Sequence, residues 1–229
     1  ENGNFGTETL TIPAGADVTL HNMKVLSSVK IVVGKGAKLT LDDSVAYGTV
    51  EVNGGTVSAE NSSSFVGQIV LNDGSTLKDA TIVSHANFLS DGNYQVEAPE
   101  APVVVNGNVT FEGANSITGC GITSGSDAQS ALVVGKGATV TIPAGSSLVA
   151  KGGSVDTTGG NGGAGVKLDG GSIVGEGSLT ATGGSVGLGL GNGGAGIDGQ
   201  GRVGVATVVA MGGNIPAAGE GLMGDPSKY

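Results

Sequence analysis

Lys30-Ile31-Val32-Val33-Gly34-Lys35-Gly36-Ala37-Lys38-Leu39-Thr40-Leu41 sets two alternating apolar runs around a glycine turn. The arrangement returns as Thr49-Val50-Glu51-Val52, Asn53-Gly54-Gly55 and Thr56-Val57-Ser58-Ala59. It returns again as Gln68-Ile69-Val70-Leu71, Asn72-Asp73-Gly74 and Thr76-Leu77-Lys78. The first runs start at residues 30, 49 and 68, a spacing of 19 each time. One turn earlier, Thr9-Leu10-Thr11-Ile12 and Asp17-Val18-Thr19-Leu20 flank Pro13-Ala14-Gly15 on the same template. A weaker third apolar position follows each pair, near Val25, Val45, Phe65 and Ile82.

Period-two alternation over four or five residues describes a strand with one buried face. The turns do not have the two-residue form that returns a hairpin antiparallel. A fixed period near 20 with several strands per period marks a solenoid, whose equivalent strands stack in parallel about 4.8 Å apart. Ile31, Val33, Leu39 and Leu41 are expected to point inward and form columns with their counterparts one coil away. Glycine, Asn and Asp are expected at corners, where the backbone visits positive φ.

A longer period takes over downstream. Val149-Ala150-Lys151-Gly152-Gly153-Ser154-Val155 recurs 31 residues on as Thr180-Ala181-Thr182-Gly183-Gly184-Ser185-Val186, and loosely after a further 29 as Val209-Ala210-Met211-Gly212-Gly213-Asn214-Ile215. Asn161-Gly162-Gly163-Ala164-Gly165 returns as Asn192-Gly193-Gly194-Ala195-Gly196. These units read as larger coils with glycine-lined corners and flatter packing, since Gly and Ala leave little side chain to fill a wide core. Two echoes link the halves: Val32–Ala37 with Val133–Ala138, and Thr11–Gly15 with Thr141–Gly145. One solenoid domain over 1–229 is expected, with N-terminal coils at 1–83, an excursion at 84–102 and glycine-rich coils at 103–229.

Composition narrows the function. Glycine fills 46 of 229 positions, yet there is no Gly-x-y period, only six prolines, and 38% of residues are hydrophobic, so neither collagen nor disorder fits. The net charge of −10, with Arg202 the lone arginine, excludes a general nucleic-acid binder, which needs basic patches. No apolar run approaches the roughly 18 residues of a transmembrane segment. Cys120, the single cysteine, excludes an intrachain disulfide and reads as a small buried thiol. The chain opens on Glu1 without a charged n-region or apolar h-region, so any export signal is expected to have been removed. No amphipathic capping helix is evident, and a piece of something longer is expected.

The phrase Gly135-Lys136-Gly137-Ala138-Thr139-Val140-Thr141-Ile142-Pro143-Ala144-Gly145 and the units from Thr180 to Ser185 and Asn192 to Ile197 resemble the right-handed parallel β-helix, or pectin-lyase-like, segments of secreted and surface-anchored bacterial proteins, adhesin-type repeats among them. The resemblance covers most of the chain. It implies an all-β, single-stranded right-handed parallel β-helix with coils of about 19–31 residues and an extracellular or cell-surface location, and it implies no activity.

Catalytic β-helix proteins need a cluster of acids on one face, with Ca²⁺ and a base or as an acid pair. Asp42-Asp43 stands at a corner one coil after His21-Asn22 and one before Glu60-Asn61. If the register holds, Asp42, Asp43 and Glu60 form a candidate Ca²⁺ site or acid pair, against the plainer alternative of a solvated corner whose Asn and Asp bond the local backbone. Asp169 and Asp198 are candidate cross-coil neighbours. His21 and His85 read as surface residues, and Arg202 lacks an acidic cluster beside it in sequence. Phosphate binding is excluded, because Gly187–Gly191 has no following Gly-Lys-Ser/Thr and no helix. An outward threonine array of the ice-binding kind is broken where Ser58 and Lys78 replace Thr19 and Thr40. Phe88 and Tyr94 lie in the excursion and are the candidate ligand contacts, since loops on a rigid scaffold carry function.

The expected function is therefore non-enzymatic: a structural or adhesive β-solenoid segment of a bacterial surface protein. The alternatives are a polysaccharide-binding module assisted by Ca²⁺, and a polysaccharide lyase or hydrolase. The expected partner is a polysaccharide or host-surface ligand.

Overall fold

A computed structural model describes residues 8–84, 101–121, 127–156, 160–187 and 191–214. Among these residues, twenty-two strands build three faces around one apolar interior. The first face stacks β1 (Glu8–Ile12), β4 (Val29–Val33), β7 (Val50–Val52), β10 (Ile69–Leu71), β13 (Val103–Val105) and β16 (Leu132–Val134). The second stacks β2 (Asp17–His21), β5 (Lys38–Asp42), β8 (Thr56–Glu60), β11 (Thr76–Lys78), β14 (Asn108–Glu112) and β17 (Thr139–Ile142). β19 (Val166–Gly175) runs through the corner and serves both faces, as β21 (Ile197–Gly204) does above it.

The third face is an eight-stranded sheet of β3 (Lys24–Val25), β6 (Val45–Ala46), β9 (Ser64–Phe65), β12 (Thr81–Val83), β15 (Ala114–Thr118), β18 (Ser147–Lys151), β20 (Ser178–Thr182) and β22 (Thr207–Met211). Neighbours on every face pair in parallel with the coil below, so the chain is a parallel β-helix. Among the described residues no helix is long and apolar enough to cross a membrane.

The columns follow from alternation. Ile31, Val50, Ile69, Val103, Leu132, Val166 and Ile197 stand one above another, each at most 1% exposed. Ile31, Val33, Leu39 and Leu41 all point into the core. Phe65 and Phe111 are fully buried, against Ile82 and Leu77 of neighbouring coils. Removing such side chains from water is worth about 25 cal/mol per Å² of apolar surface, and it is the main force holding the stack.

Coil length changes where the sequence period changes. Val50 to Ile69 is a step of 19 residues and Ile69 to Val103 one of 34, yet β13 pairs directly with β10. The parallel ladder thus passes directly from β10 to β13. From there on, the extra residues of each long coil fall between the third face and the next first face, and the strands stay paired, with one register shift between Asp169 and Ser172 where β19 meets β21.

Corners come in two forms. Asn22, Asp43, Asn61 and Asp79 have φ of 53°, 48°, 54° and 47° and occupy equivalent places between the second and third faces. Asn and Asp tolerate this left-handed region better than other side chains. The echo of Thr11–Gly15 in Thr141–Gly145 makes the same turn at two different corners. Ala16 N–H bonds Pro13 C=O at 3.1 Å after β1, and Ser146 N–H bonds Pro143 C=O at 3.0 Å after β17.

The glycine-rich segments hold something the sequence reading lacks. Between the third face and the first, backbone bonds backbone through the interior. Gly163 N–H donates to Gly153 C=O, Gly184 to Gly163, Gly194 to Gly184 and Gly213 to Gly194, at 2.8–2.9 Å. The chains approach so closely that a Cβ on Gly184 would sit 1.7 Å from the Gly153 carbonyl oxygen. A wide coil with few large side chains is therefore filled by hydrogen-bonded main chain, which also satisfies polar groups that burial would strand. Beside it, Ala128, Val155 and Val186 form a small second core.

Candidate functional site

The acidic corner lies where β2, β5 and β8 end. Register stacks His21 on Asp42 and Asp42 on Glu60, as the 19-residue spacing implies. The Asp42 carboxylate is held from both sides. His21 Nδ1–H donates to Asp42 Oδ2 at 2.8 Å, and Asn61 Nδ2–H donates to Asp42 Oδ1. These bonds hold its carboxyl below the usual carboxylate range, the Asn61 bond most and His21 next. Beneath the corner, Ser44 Oγ–H donates to Leu20 C=O at 2.8 Å and accepts from Met23 N–H at 2.8 Å, while Ser63 Oγ accepts from Ser44 N–H at 2.9 Å.

His21, Asp42 and Asp43 each offer a ligand atom, all within 4.8 Å of one another. Ca²⁺ takes oxygen ligands, six to eight of them, of which this group of three offers the carboxylates of Asp42 and Asp43, with Glu60 the next acid in the stack. The imidazole suits a transition ion better. Either ion would compete for Asp42 oxygens that already accept hydrogen bonds.

Other outward columns are also cross-coil ties. Lys30 Nζ sits 2.6 Å from Glu51 Oε2, and Asn53 Nδ2–H donates to Glu51 Oε1 at 3.1 Å. Both lower the Glu51 pKa, Lys30 more than Asn53. Asn72 Nδ2–H donates to Asn53 Oδ1 at 2.7 Å and Asn106 Nδ2–H to Asn72 Oδ1 at 3.4 Å, an amide ladder up one corner. Asp73 Oδ1 accepts from Asn108 N–H at 3.0 Å and Asp79 Oδ1 from Ala114 N–H at 2.9 Å. The amide ladder and the Lys30–Glu51–Asn53 group escape the sequence reading. The signal for the ladder is present, in that Asn53, Asn72 and Asn106 each directly follow the last inward residue of a first-face strand.

Asp169 and Asp198 are not neighbours in the stack. Asp169 pairs with Gln200 and Asp198 with Lys167, because Asp169 stands two places further along its strand. The candidate cross-coil pairing of these two residues is thereby corrected. Arg202 lies opposite Ser172. The threonine column runs Thr19, Thr40, Ser58, Lys78, interrupted where the sequence says it is, with the Thr40 and Ser58 hydroxyls 3.1 Å apart. Cys120 is buried, its thiol 2.9 Å from the Gly121 carbonyl oxygen. Phe88, Tyr94 and His85 lie outside the described residues. Comparison with protein-family models, with curated proteins and with solved structures finds no match for this chain.

Proposed function

We propose that this chain is a non-enzymatic, extracellular β-solenoid segment of a bacterial surface protein, serving as a structural and adhesive rod. One observation carries the reading: the outward side chains of Asp42, Glu51 and Asn72 are taken up in tying coil to coil. Asp42 bonds His21 below and Asn61 above, Glu51 bonds Lys30, and Asn72 bonds Asn53 and Asn106. Eight strands on one face give a rise of about 34 Å, at about 4.8 Å per step. A regular, laddered stack of this kind separates and presents what is joined to it.

The test combines two assays on the purified protein. Polyuronates should yield no ultraviolet-absorbing unsaturated products, and adhesion to host-cell surfaces should survive chelator. Release of unsaturated product overturns the reading in favour of a lyase. A second reading, a polysaccharide-binding module assisted by Ca²⁺, draws on the grouping of His21, Asp42 and Asp43. Glycan-array binding that disappears with chelator, and in Asp43→Asn, would select it over the first.

A further inference from the structure

Seven large hydrophobic residues are exposed among the described ones, and six of them lie at the two ends of the stack: Leu10, Met23 and Leu26 in the first coil, Val208, Val209 and Met211 in the last. Two of these are inward positions left uncovered. In one column Ile31 is fully buried above Leu10, which is 42% exposed; in another Leu179 is fully buried below Val208, which is 43% exposed. The last strand, Thr207-Val208-Val209-Ala210-Met211, carries no charge, proline or glycine, devices that commonly guard a free sheet edge.

We propose that the last coil of one molecule docks under the first coil of a second copy, head to tail, continuing the same parallel ladder. Each contact within the molecule is made by the upper edge of one coil and the lower edge of the next, so the lower edge of the first described coil and the upper edge of the last are complementary halves of one interface. Carrying the register one step further sets Val25 of the second copy on Ala210. It thereby sets Met23 on Val208 and Leu26 on Met211, exposed apolar residues meeting exposed apolar residues. On the first face Leu10 lands on Ile197, the top of the buried column that begins at Ile31. On the second, Asp17 lands on Gly204, beside which the Arg202 guanidinium lies, Nη2 being 3.9 Å from where a Gly204 side chain would start.

The first coil is shorter than the coils at the other end, with 21 residues from Glu8 to Val29 against 31 from Val166 to Ile197, the last full step. The molecule already joins coils of unlike length in the opposite order, since a 34-residue step follows a 19-residue one at β10 without loss of register. A contact between unlike ends does not close on itself, so it generates rods rather than a fixed dimer.

The test uses the full chain, sedimentation velocity across a concentration series, and cysteine pairing. Sedimentation should rise with concentration through dimers to longer species. Val208→Lys and Met23→Lys should each hold the protein as a monomer with its thermal transition retained, whereas Val149→Lys, on the seventh exposed residue and on a side face, should assemble as wild type. Under mild oxidation, Leu26→Cys mixed with Met211→Cys should cross-link, and neither variant should cross-link with itself. A wild-type protein that stays monomeric at every concentration overturns the proposal, including the case where this chain's own residues cover the ends. Self-cross-linking of Met211→Cys also overturns it, because that requires like ends to meet.

Discussion

Gly184→Ala should unfold the glycine-rich coils far more easily than the same change at an open corner. An added Cβ at Gly184 would lie 1.7 Å from the Gly153 carbonyl oxygen, 2.4 Å from its carbon and 3.1 Å from the Gly152 oxygen. Carbon–oxygen contacts settle at about 3.3 Å or beyond, so the segments must part by about 1.6 Å. All the atoms met are backbone, so no side chain can swing aside. Gly184 N–H then loses Gly163 C=O, and Gly184 C=O loses Gly194 N–H, both bonds now 2.8 Å long. Two buried backbone hydrogen bonds broken, at roughly 1–3 kcal/mol each for the groups left unpaired, give a loss of about 4 kcal/mol. Gly36→Ala is the control. Its φ of 67° is strained for alanine, but nothing lies within 4 Å of the new Cβ, so the left-handed conformation alone costs about 1–2 kcal/mol. Urea titration followed by circular dichroism should separate the two variants by about 2–3 kcal/mol. Hydrogen exchange in Gly184→Ala should speed up at 152–156, 160–165 and 182–187 while the N-terminal coils stay protected. Equal midpoints for the two variants would refute the claim that main chain packs directly on main chain here.

Val33→Asp and Leu41→Asp, each placing a carboxylate at a site with no exposure, should destabilise by more than about 4 kcal/mol or prevent folding; near-wild-type melting would show the columns to be wrongly placed. Asn72→Ala removes the middle of the amide ladder, which joins Asn53 at 2.7 Å and Asn106 at 3.4 Å, and urea titration should register a loss of about 1 kcal/mol. Glu51 is held below its ordinary pKa by Lys30 and Asn53 in the folded state, so between the folded and unfolded values the unfolded chain binds more protons. Its contribution is complete above the unfolded value of about 4.3 and is lost as pH falls through the folded one. The stability difference between wild type and Glu51→Gln should therefore narrow as pH falls from about 4.3 through the folded value, and a constant difference would rule out the Lys30 tie as its source.

The sequence by itself determined the solenoid. Alternating runs at 30, 49 and 68 cannot bury their apolar faces unless equivalent residues stack, and the register pairs Ile31, Val50 and Ile69 as that spacing requires. It also placed His21, Asp42 and Glu60 in one column, because a repeat that fixes the inward residues fixes the corners too. What a corner side chain then bonds was left to the tertiary structure. Asp42 faces an acid in the register, yet its carboxylate reaches His21 and Asn61, since a rotatable side chain chooses among neighbours on two coils. Asp169 and Asp198 show the reverse: similar Asp-Gly phrases land on different partners when they stand two places apart in their strands. Thr11–Gly15 and Thr141–Gly145 make one turn at two corners, because a local phrase dictates a local bend and only the stack decides which faces it joins. The glycine segments were the least legible. Alternation reports buried side chains, and these residues have none; their order comes from main chains meeting across coils, which no pattern along a single strand records.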